Sequence, residues 1–227
     1  MGWSEWIRGE VEVEPSLYAA DFMRLGEQIQ ALLAAGTRVF HFDIGDAHFV
    51  PPVTIGPVVL RSIAPTIHAW GGVVDCHLMV DDPAHHFAEI ASSGGDSVTF
   101  HVEATGDPGG VAAAARQHGL SVGVAFNPET SPEEAAAFAR QAGAEIVLCM
   151  SIHPGYSGQS FMSEALGRVA MLSDLVGVPI QVDGGVCEEN AHAVRDAGAR
   201  LFVAGSAIFA DRDPAAAYAR VASAVSP

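Results

Sequence analysis

The chain has 227 residues, 49% of them hydrophobic, which suits one large folded unit and excludes global disorder. The formal net charge is −16, and all 11 basic residues are arginine, so the sequence offers no basic stripe for nucleic acid. This acidity disfavours anionic membranes, and no apolar run approaches the roughly 20 residues of a membrane span. We therefore expect neither a nucleic-acid nor a membrane partner.

The cysteines indicate a reducing compartment. Cys76, Cys149 and Cys187 are widely spaced, with no CxxC motif and no even-numbered disulfide framework. The first residues, "MGWSEWIRGEVEVEP", lack the long apolar segment of a secretory signal. We therefore expect a cytoplasmic location.

Short β-rich segments alternate with Ala- and Leu-rich segments of helical period. The segment "SPEEAAAFARQAG" is typical, with Ser131 as N-cap, Pro132 at the first helical position and Gly143 at its end. Eight strands are predicted, at residues 13–19, 38–44, 73–80, 97–103, 121–126, 145–152, 179–183 and 201–205. Eight alternations predict a (β/α)8 TIM barrel, in one domain over residues 1–227.

The competing architecture is a doubly wound sheet. Such a sheet usually has fewer strands, and its nucleotide-binding forms carry a GxGxxG motif after the first strand. The corresponding segment here, "PSLYAADF", contains no glycine. In a barrel, catalytic residues lie at the carboxyl ends of the strands, which makes polar residues there candidates for function.

Four polar residues occupy such strand ends. His41 and Asp43 are two residues apart on the second strand and therefore point to the same side, while His77 and Asp183 end the third and seventh strands. Taken singly, a strand histidine commonly packs in the core and an aspartate before two glycines commonly forms a turn. Together, two imidazoles and two carboxylates can bind one divalent metal such as zinc, iron, manganese or cobalt.

Glycine-rich segments follow the last three strands. They are "HPGYSGQ" at 153–159, "DGG" at 183–185 and "AGSAIF" at 204–209. Backbone N–H groups in such loops can bind phosphate without lysine, and barrels often place phosphate after strands seven and eight. Three successive clusters predict a phosphate site beside the metal site.

Over about residues 14–225, the sequence resembles the ribulose-phosphate 3-epimerase family. The motifs that carry the resemblance are "PSLYAADF", "HFDIGDAHFVPPVTIGP", "DCHLMVDDP", "HVEA", "GVAFNPET", "MSIHPGYSGQSF", "VDGGV" and "VAGSAIF". The resemblance implies a barrel that binds one divalent metal and inverts C3 of a ketopentose 5-phosphate. It also implies a homo-oligomer, either a dimer or a hexamer.

By this resemblance, His41, Asp43, His77 and Asp183 are the metal ligands, and the two aspartates are also the acid and base. One carboxylate removes the proton beside the carbonyl and the other returns it on the opposite face, through an enediolate that the metal stabilises. Met79 and Met150 match methionines that line the family pocket, although core packing is the alternative interpretation. The substrate and phosphate contacts implied are His77, Met79, Met150, Gly155, Tyr156, Ser157, Gly158, Gly184, Gly185, Gly205 and Ser206.

Three further residues are candidates for supporting the metal ligands. His101 and Glu103 are predicted to face one side of the fourth strand, where the alternative is a polar pair in the barrel interior. His153 stands beside the phosphate loop, where the family usually has asparagine, and the alternative is an exposed loop histidine.

The chain departs from the family pattern at three positions. Ala19 replaces a serine whose hydroxyl contacts substrate, and Gly45 replaces a methionine, which predicts extra space in the pocket floor. Ala47 stands where the family has glycine, and a positive φ there would strain an alanine. We therefore expect 3-epimerase chemistry with a shifted or relaxed substrate preference.

Other barrel activities need residues of their own. Decarboxylases of the orotidine type need an Asp-x-Lys-x-x-Asp array and Schiff-base aldolases need a lysine, and the chain contains no lysine. A metal-dependent isomerase or aldolase with an enediolate intermediate stays open. So does a non-catalytic sugar-phosphate binder, although the presence of all four ligands argues against it.

Overall fold

A computed structural model describes residues 2–7 and 10–226. Strands and helices alternate along the chain, as the sequence predicts. The strands are β1 Glu12–Pro15, β2 Val39–Gly45, β3 Val73–Met79, β4 Ser97–His101, β5 Ser121–Phe126, β6 Ile146–Met150, β7 Ile180–Asp183 and β8 Leu201–Ala204. The helices are α1 Trp3–Trp6, α2 Leu25–Ala34, α3 Pro57–Ala69, α4 Phe87–Ser93, α5 Pro108–Gln117, α6 Pro132–Ala142, α7 Glu164–Leu175, α8 Glu188–Asp196, α9 Ser206–Phe209 and α10 Pro214–Val225.

The strands form one parallel sheet that closes on itself. The order is β1-β8-β7-β6-β5-β4-β3-β2, with every pair parallel. A parallel bridge between Ser16 and His41 joins the β1 end of this order to β2. The predicted (β/α)8 barrel is therefore confirmed, and all carboxyl strand ends open at the same mouth.

Alternate residues of β2, β3 and β4 divide into an apolar outer face and a largely polar inner face. The outer side chains pack against the helices in the main hydrophobic cluster, and they include Phe40, Phe42, Val74, Cys76, Leu78, Val98 and Phe100. Barrel interiors are usually filled by branched apolar side chains. Here buried polar groups fill much of the interior, namely Glu14, His41, Asp43, Asp75, His77, Thr99, His101 and Gln181.

The short helix α1 covers the end of the barrel opposite the mouth. Trp3 and Trp6 pack edge to face with ring centroids 5.3 Å apart. They form a separate apolar cluster with Val39, Ile146 and Leu201, which lie at the starts of β2, β6 and β8. The backbone N–H of Trp3 donates a 3.1 Å hydrogen bond to Glu145 and ties the helix to the segment before β6.

Five strands end earlier than the sequence predicts: β3 and β8 by one residue, β4 and β6 by two, and β1 by four. The two that lead into 3-10 turns are the first and the fourth. The first was predicted to reach residue 19, but it ends at Pro15 and a 3-10 turn follows at Leu17–Ala19. The fourth was predicted to reach residue 103, but it ends at His101 and a 3-10 turn follows at Val102–Ala104. In both places the chain leaves the sheet at the barrel mouth, where it has no further strand to pair with.

Candidate metal centre

Four side chains converge at the barrel mouth from three strands. His41 and Asp43 come from β2, His77 from β3 and Asp183 from β7, and their ligand atoms lie within 4.8 Å of one another. Oδ1 of Asp43 is central, at 3.2 Å from Nε2 of His41 and 3.1 Å from Nδ1 of His77. The structure thus brings together all four residues that the sequence predicts as ligands.

The donor set fits a divalent transition metal. Two neutral imidazoles and two carboxylates are typical ligands of such ions. Neither ring nitrogen of the buried His41 has a hydrogen-bond partner of good geometry among the described residues. A buried imidazole nitrogen that faces two carboxylates without a hydrogen bond is suited to a metal ion.

A polar layer lies beneath His41, on the side away from the mouth. Nδ1 of His41 is 3.4 Å from Oδ2 of Asp75 and 3.8 Å from Oε2 of Glu14. The amide of Gln181 donates to both of these carboxylates, at 2.5 Å to Glu14 and 3.1 Å to Asp75. The amide thus links the two carboxylates. Nδ1 of His41 faces this linked pair while its Nε2 faces the four-residue cluster at the mouth.

The two aspartates of the cluster differ in their affinity for a proton. Burial opposes the charge on Asp43, but the charge and hydrogen bond of His41 outweigh it and hold the pKa of Asp43 well below its usual range. Burial, together with the nearby charge of Asp43, raises the pKa of Asp183 to about 7. In the metal-free protein at neutral pH, Asp43 is therefore charged, whereas Asp183 is close to the pH at which it gains or loses a proton.

A pocket opens directly above the cluster. Ten of the eleven residues predicted to contact substrate or phosphate line it together with both aspartates; His77 lies buried behind Asp43. The pocket also exposes Ser16 and Tyr18, which the sequence reasoning missed. The predicted residues in its wall are Met79, Met150, Gly155, Tyr156, Ser157, Gly158, Gly184, Gly185, Gly205 and Ser206.

The glycine loops supply backbone donors to this pocket. The N–H groups of Gly185, Gly205 and Ser206 have no acceptor among the described residues. Gly185 has φ +65°, and a Cβ there would lie 2.6 Å from the backbone nitrogen of Phe161. Glycine is therefore required for this loop to approach its neighbour, and the free N–H groups can bind an anion.

Ala19 lies at the edge of the glycine loops. An added Cβ on Gly205 would come 3.2 Å from Cβ of Ala19 and 3.4 Å from Oγ of Ser157. The serine hydroxyl that the family pattern has at position 19 would therefore lie beside the loop after β8. The nearby Ser16, one turn earlier, uses its own hydroxyl to donate a 2.6 Å hydrogen bond to Asp43.

The predicted extra space at Gly45 is wrong. A Cβ at Gly45 would lie 2.8 Å from Cγ2 of Val50 and 3.1 Å from the carbonyl oxygen of Pro52. The loop after β2 folds back over the strand end, where Thr54 accepts from the Gly45 N–H and donates to the Asp43 carbonyl, both at 2.7 Å. The glycine makes room for the chain's own loop.

The same loop confirms the strain predicted at Ala47. Its φ is +61°, and among the described residues it is the one non-glycine residue in the left-handed region. The side chain of Asp46 holds this turn by accepting from the N–H groups of His48, Phe49 and Asp81, at 2.8 to 2.9 Å. These bonds join the loop after β2 to the loop after β3.

The three predicted supporting residues separate in the structure. His101 is buried and lies 2.9 Å from His77, but Glu103 is on the 3-10 turn after β4 rather than on the strand, and it reaches back to His101 at 3.2 Å. His153 is not brought to the cluster. Its side chain is 63% exposed and pairs with Glu129 at 2.6 Å, because the loop after β6 points it toward solvent.

The fold is a parallel barrel, and a cluster of histidine and aspartate side chains lies at its mouth between glycine loops. These features define a barrel enzyme with a candidate metal centre. A sequence model described as the ribulose-phosphate 3 epimerase family matches residues 12–209. The chain belongs to this family, which places it among the isomerases, in the epimerase class.

Individual relatives agree with this placement. The chain is 35% identical over 206 residues to a ribulose-phosphate 3-epimerase of Schizosaccharomyces pombe, covering 90% of each chain. It is 37% identical over 223 residues to one of Mycobacterium leprae, covering 95% of this chain and 96% of the relative. The solved structure of a 3-hexulose-6-phosphate synthase from Salmonella typhimurium aligns with a TM-score of 0.72 at 15% identity, over 95% and 98% of the two chains, and supports the fold.

In the described residues, none of the helices has the length and apolar character needed to cross a membrane.

Proposed function

We propose that the protein is a metal-dependent 3-epimerase of a ketose phosphate, with ribulose 5-phosphate as its substrate and xylulose 5-phosphate as its product. The observation that carries the proposal is the meeting of Asp43 and Asp183, from different strands, in one cluster with two histidines. Inversion at a carbon beside a carbonyl needs a group that takes the proton on one face and another that returns it on the opposite face.

The two carboxylates are suited to these roles. Both line the pocket, so each can reach a bound substrate. Asp43, which is charged in the metal-free protein at neutral pH, is placed to take the C3 proton, and Asp183, whose pKa there is raised to about 7, is placed to deliver one. In the reverse reaction the two exchange roles. A divalent ion held by His41, Asp43, His77 and Asp183, whether zinc, iron, manganese or cobalt, would supply Lewis-acid stabilisation of the negative charge that forms on the substrate oxygens.

The remaining pocket residues would bind and orient the substrate. The free N–H groups of Gly185, Gly205 and Ser206 are suited to its phosphate. Met79 and Met150 line the pocket beside the aspartates and would keep water from the reacting carbon. Binding the phosphate at a fixed distance from the carboxylates would place C3 between them.

The packing around Gly45 and Ala19 bears on the substrate preference. One reason to expect a shifted preference is the extra space predicted at Gly45, and that space is filled by Val50. Ala19 alone still supports a changed preference, since it removes one hydroxyl beside the loop of Gly205. We therefore place ribulose 5-phosphate first among pentulose and hexulose phosphates.

The decisive experiment follows C3 by NMR in deuterated water, with protein loaded separately with Zn²⁺, Fe²⁺, Mn²⁺ or Co²⁺ and a panel of ketose phosphates. We expect deuterium at C3 and formation of the C3 epimer. Asp183→Asn should abolish both, while the matched control Asp174→Asn, on the exposed face of α7, should abolish neither.

Three outcomes would contradict the proposal in different ways. Undiminished C3 exchange in Asp183→Asn would remove that residue from proton transfer. Binding of ketose phosphates by the wild-type protein without any exchange would show a binder instead of an enzyme. Efficient turnover of another ketose phosphate, with poor turnover of ribulose 5-phosphate, would show that ribulose 5-phosphate is not the preferred substrate.

The cytoplasmic location and the dimer or hexamer stay predictions. Sedimentation velocity measures the oligomeric state.

A further inference from the structure

Behind His77, a second imidazole and a carboxylate continue the metal centre away from the pocket. Nδ1 of His77 faces the carboxylates of Asp43, at 3.1 Å, and of Asp183, at 3.8 Å. Its other nitrogen, Nε2, lies 2.9 Å from Nε2 of His101, and Nδ1 of His101 lies 3.2 Å from Oε2 of Glu103. Both imidazoles are completely buried, so water does not compete for these contacts.

The chemistry of these groups fixes where the protons lie. Two imidazole nitrogens at hydrogen-bond distance must include one donor and one acceptor. The charged carboxylate of Glu103 can only accept, so Nδ1 of His101 donates to it and Nε2 of a neutral His101 is left to accept. Nε2 of a neutral His77 then donates, which leaves its Nδ1 without a proton, as binding of a metal ion requires.

We propose that Glu103 is a positioning residue of the metal centre, which acts through His101 to hold His77 in the tautomer whose Nδ1 is free to bind a metal ion. This inference rests on the metal site proposed above. It differs from the support of His41, whose Nδ1 faces carboxylates directly. The tautomer of His77 is thus set by Glu103, which is two hydrogen bonds away.

The surroundings of Glu103 and His101 hold this arrangement in place. Oε1 of Glu103 accepts a 2.8 Å hydrogen bond from the backbone N–H of Asn127 and a further bond from the Thr130 hydroxyl, both from the segment after β5. The ring of Phe49 packs over His101 with centroids 4.8 Å apart and covers it. Glu103 therefore has one oxygen committed to the backbone and the other to the imidazole.

These commitments predict what an amide at position 103 would do. In Glu103→Gln the single amide oxygen has to accept the hydrogen bond from the N–H of Asn127. The NH2 group is then turned toward Nδ1 of His101. Nδ1 of His101 must then accept, its Nε2 carries the proton and donates to His77, and the proton of His77 moves to Nδ1. The substitution inverts both tautomers and places a proton on the metal-binding nitrogen.

The test measures the affinity of the full-length protein for Co²⁺ and Zn²⁺ by competition with a chromophoric chelator. We expect Glu103→Gln to weaken binding about 10- to 100-fold, as for other groups that orient metal ligands. The matched control is Glu129→Gln, which alters an exposed carboxylate–imidazole pair with His153 in the neighbouring loops and should leave the affinity unchanged. The melting temperature of each metal-free variant checks that it is folded.

A second measurement uses the wild-type protein alone and so does not depend on the folding of any variant. In protein with ¹⁵N-labelled histidine and bound Zn²⁺, we expect NMR to show the proton of His77 on Nε2 and that of His101 on Nδ1. The opposite assignment would overturn the inference, as would wild-type affinity in a folded Glu103→Gln. Equal weakening by Glu129→Gln would also overturn it. Wild-type protein that binds neither ion would overturn the metal site as well.

Discussion

The hydroxyl of Ser16, at the end of β1, donates a 2.6 Å hydrogen bond to Oδ2 of Asp43 on β2. The other oxygen of that carboxylate, Oδ1, faces the imidazoles of His41 and His77. Ser16 also lines the pocket and is buried. A single hydroxyl therefore fixes the rotation of the proposed base and faces the site where substrate would bind.

Ser16→Ala removes this hydrogen bond to a charged group. Such a bond contributes about 1.5–3 kcal/mol, so we expect kcat/KM for the C3 epimerisation to fall about 10- to 100-fold. Steady-state kinetics measures this, with Ser163→Ala as control, since the side chain of Ser163 caps no helix and is exposed. A change smaller than twofold would show that Asp43 is oriented without Ser16.

Glu14 gives the metal-free protein a pH dependence of stability that can be isolated. Burial raises the pKa of Glu14 to about 7, against the lowering effect of His41. A raised carboxyl pKa stabilises the folded state most below the pKa of the unfolded chain, and this contribution is lost as the pH rises through about 7. Glu14→Gln removes this contribution.

The measurement is urea unfolding of both proteins in chelator, from pH 4.5 to pH 8. We expect the stability of the wild-type protein, relative to Glu14→Gln, to fall by about 3 kcal/mol over this range. A flat difference for Glu14→Gln would show that the pKa of Glu14 is not raised in the folded protein.

Gly45→Ala places a methyl group where the structure has no space for it. The added Cβ would meet Val50 at 2.8 Å and the carbonyl oxygen of Pro52 at 3.1 Å, so we expect a loss of about 1–3 kcal/mol in the free energy of unfolding. Gly26→Ala, inside α2 with nothing within 4 Å of the added carbon, should instead stabilise the protein by about 0.5–1 kcal/mol. Equal melting temperatures for the two variants would contradict the packing described at Gly45.

Ala47→Gly should stabilise the protein. An alanine in the left-handed region costs about 1–2 kcal/mol, and glycine returns about 0.4–1 kcal/mol of that through the freedom of the unfolded chain. With φ +61° at Ala47, we expect a net gain of about 0.5–1 kcal/mol in urea unfolding. Ala35→Gly, at a right-handed position with φ −78°, should destabilise the protein. Destabilisation by both would mean that the turn at Ala47 carries no strain.

Much of this fold follows from periodic patterns in the sequence. Eight β-rich segments and their helix-ending glycines identified all eight strands, because such signals are local. The polar residues at strand ends identified the four cluster ligands, because the carboxyl ends of barrel strands share one mouth. Asp75 could have been found in the same way, since it stands two residues before His77 and therefore faces the same interior.

The errors arose where distant segments decide the structure. Nothing in the residues around Gly45 shows that Val50 and Thr54 fold back upon it, since that depends on the path of the whole loop. The spacing of Glu103 from His101 fits a strand and so predicts one, although β4 ends at His101. The cluster that contains both Trp3 and Leu201 joins residues far apart in the sequence and has no local signal.

One apolar cluster also bears on how the chain folds while it is being synthesised. It consists of Trp3, Trp6, Val39, Ile146 and Leu201. Both indoles precede Leu201 in the chain, so they are synthesised before their cluster can be complete. Until β8 has been synthesised, these large apolar rings have only part of their final cover, and exposed apolar surface of this kind attracts chaperones and other nascent chains. The end of the barrel opposite the mouth is therefore completed only after β8 has joined it.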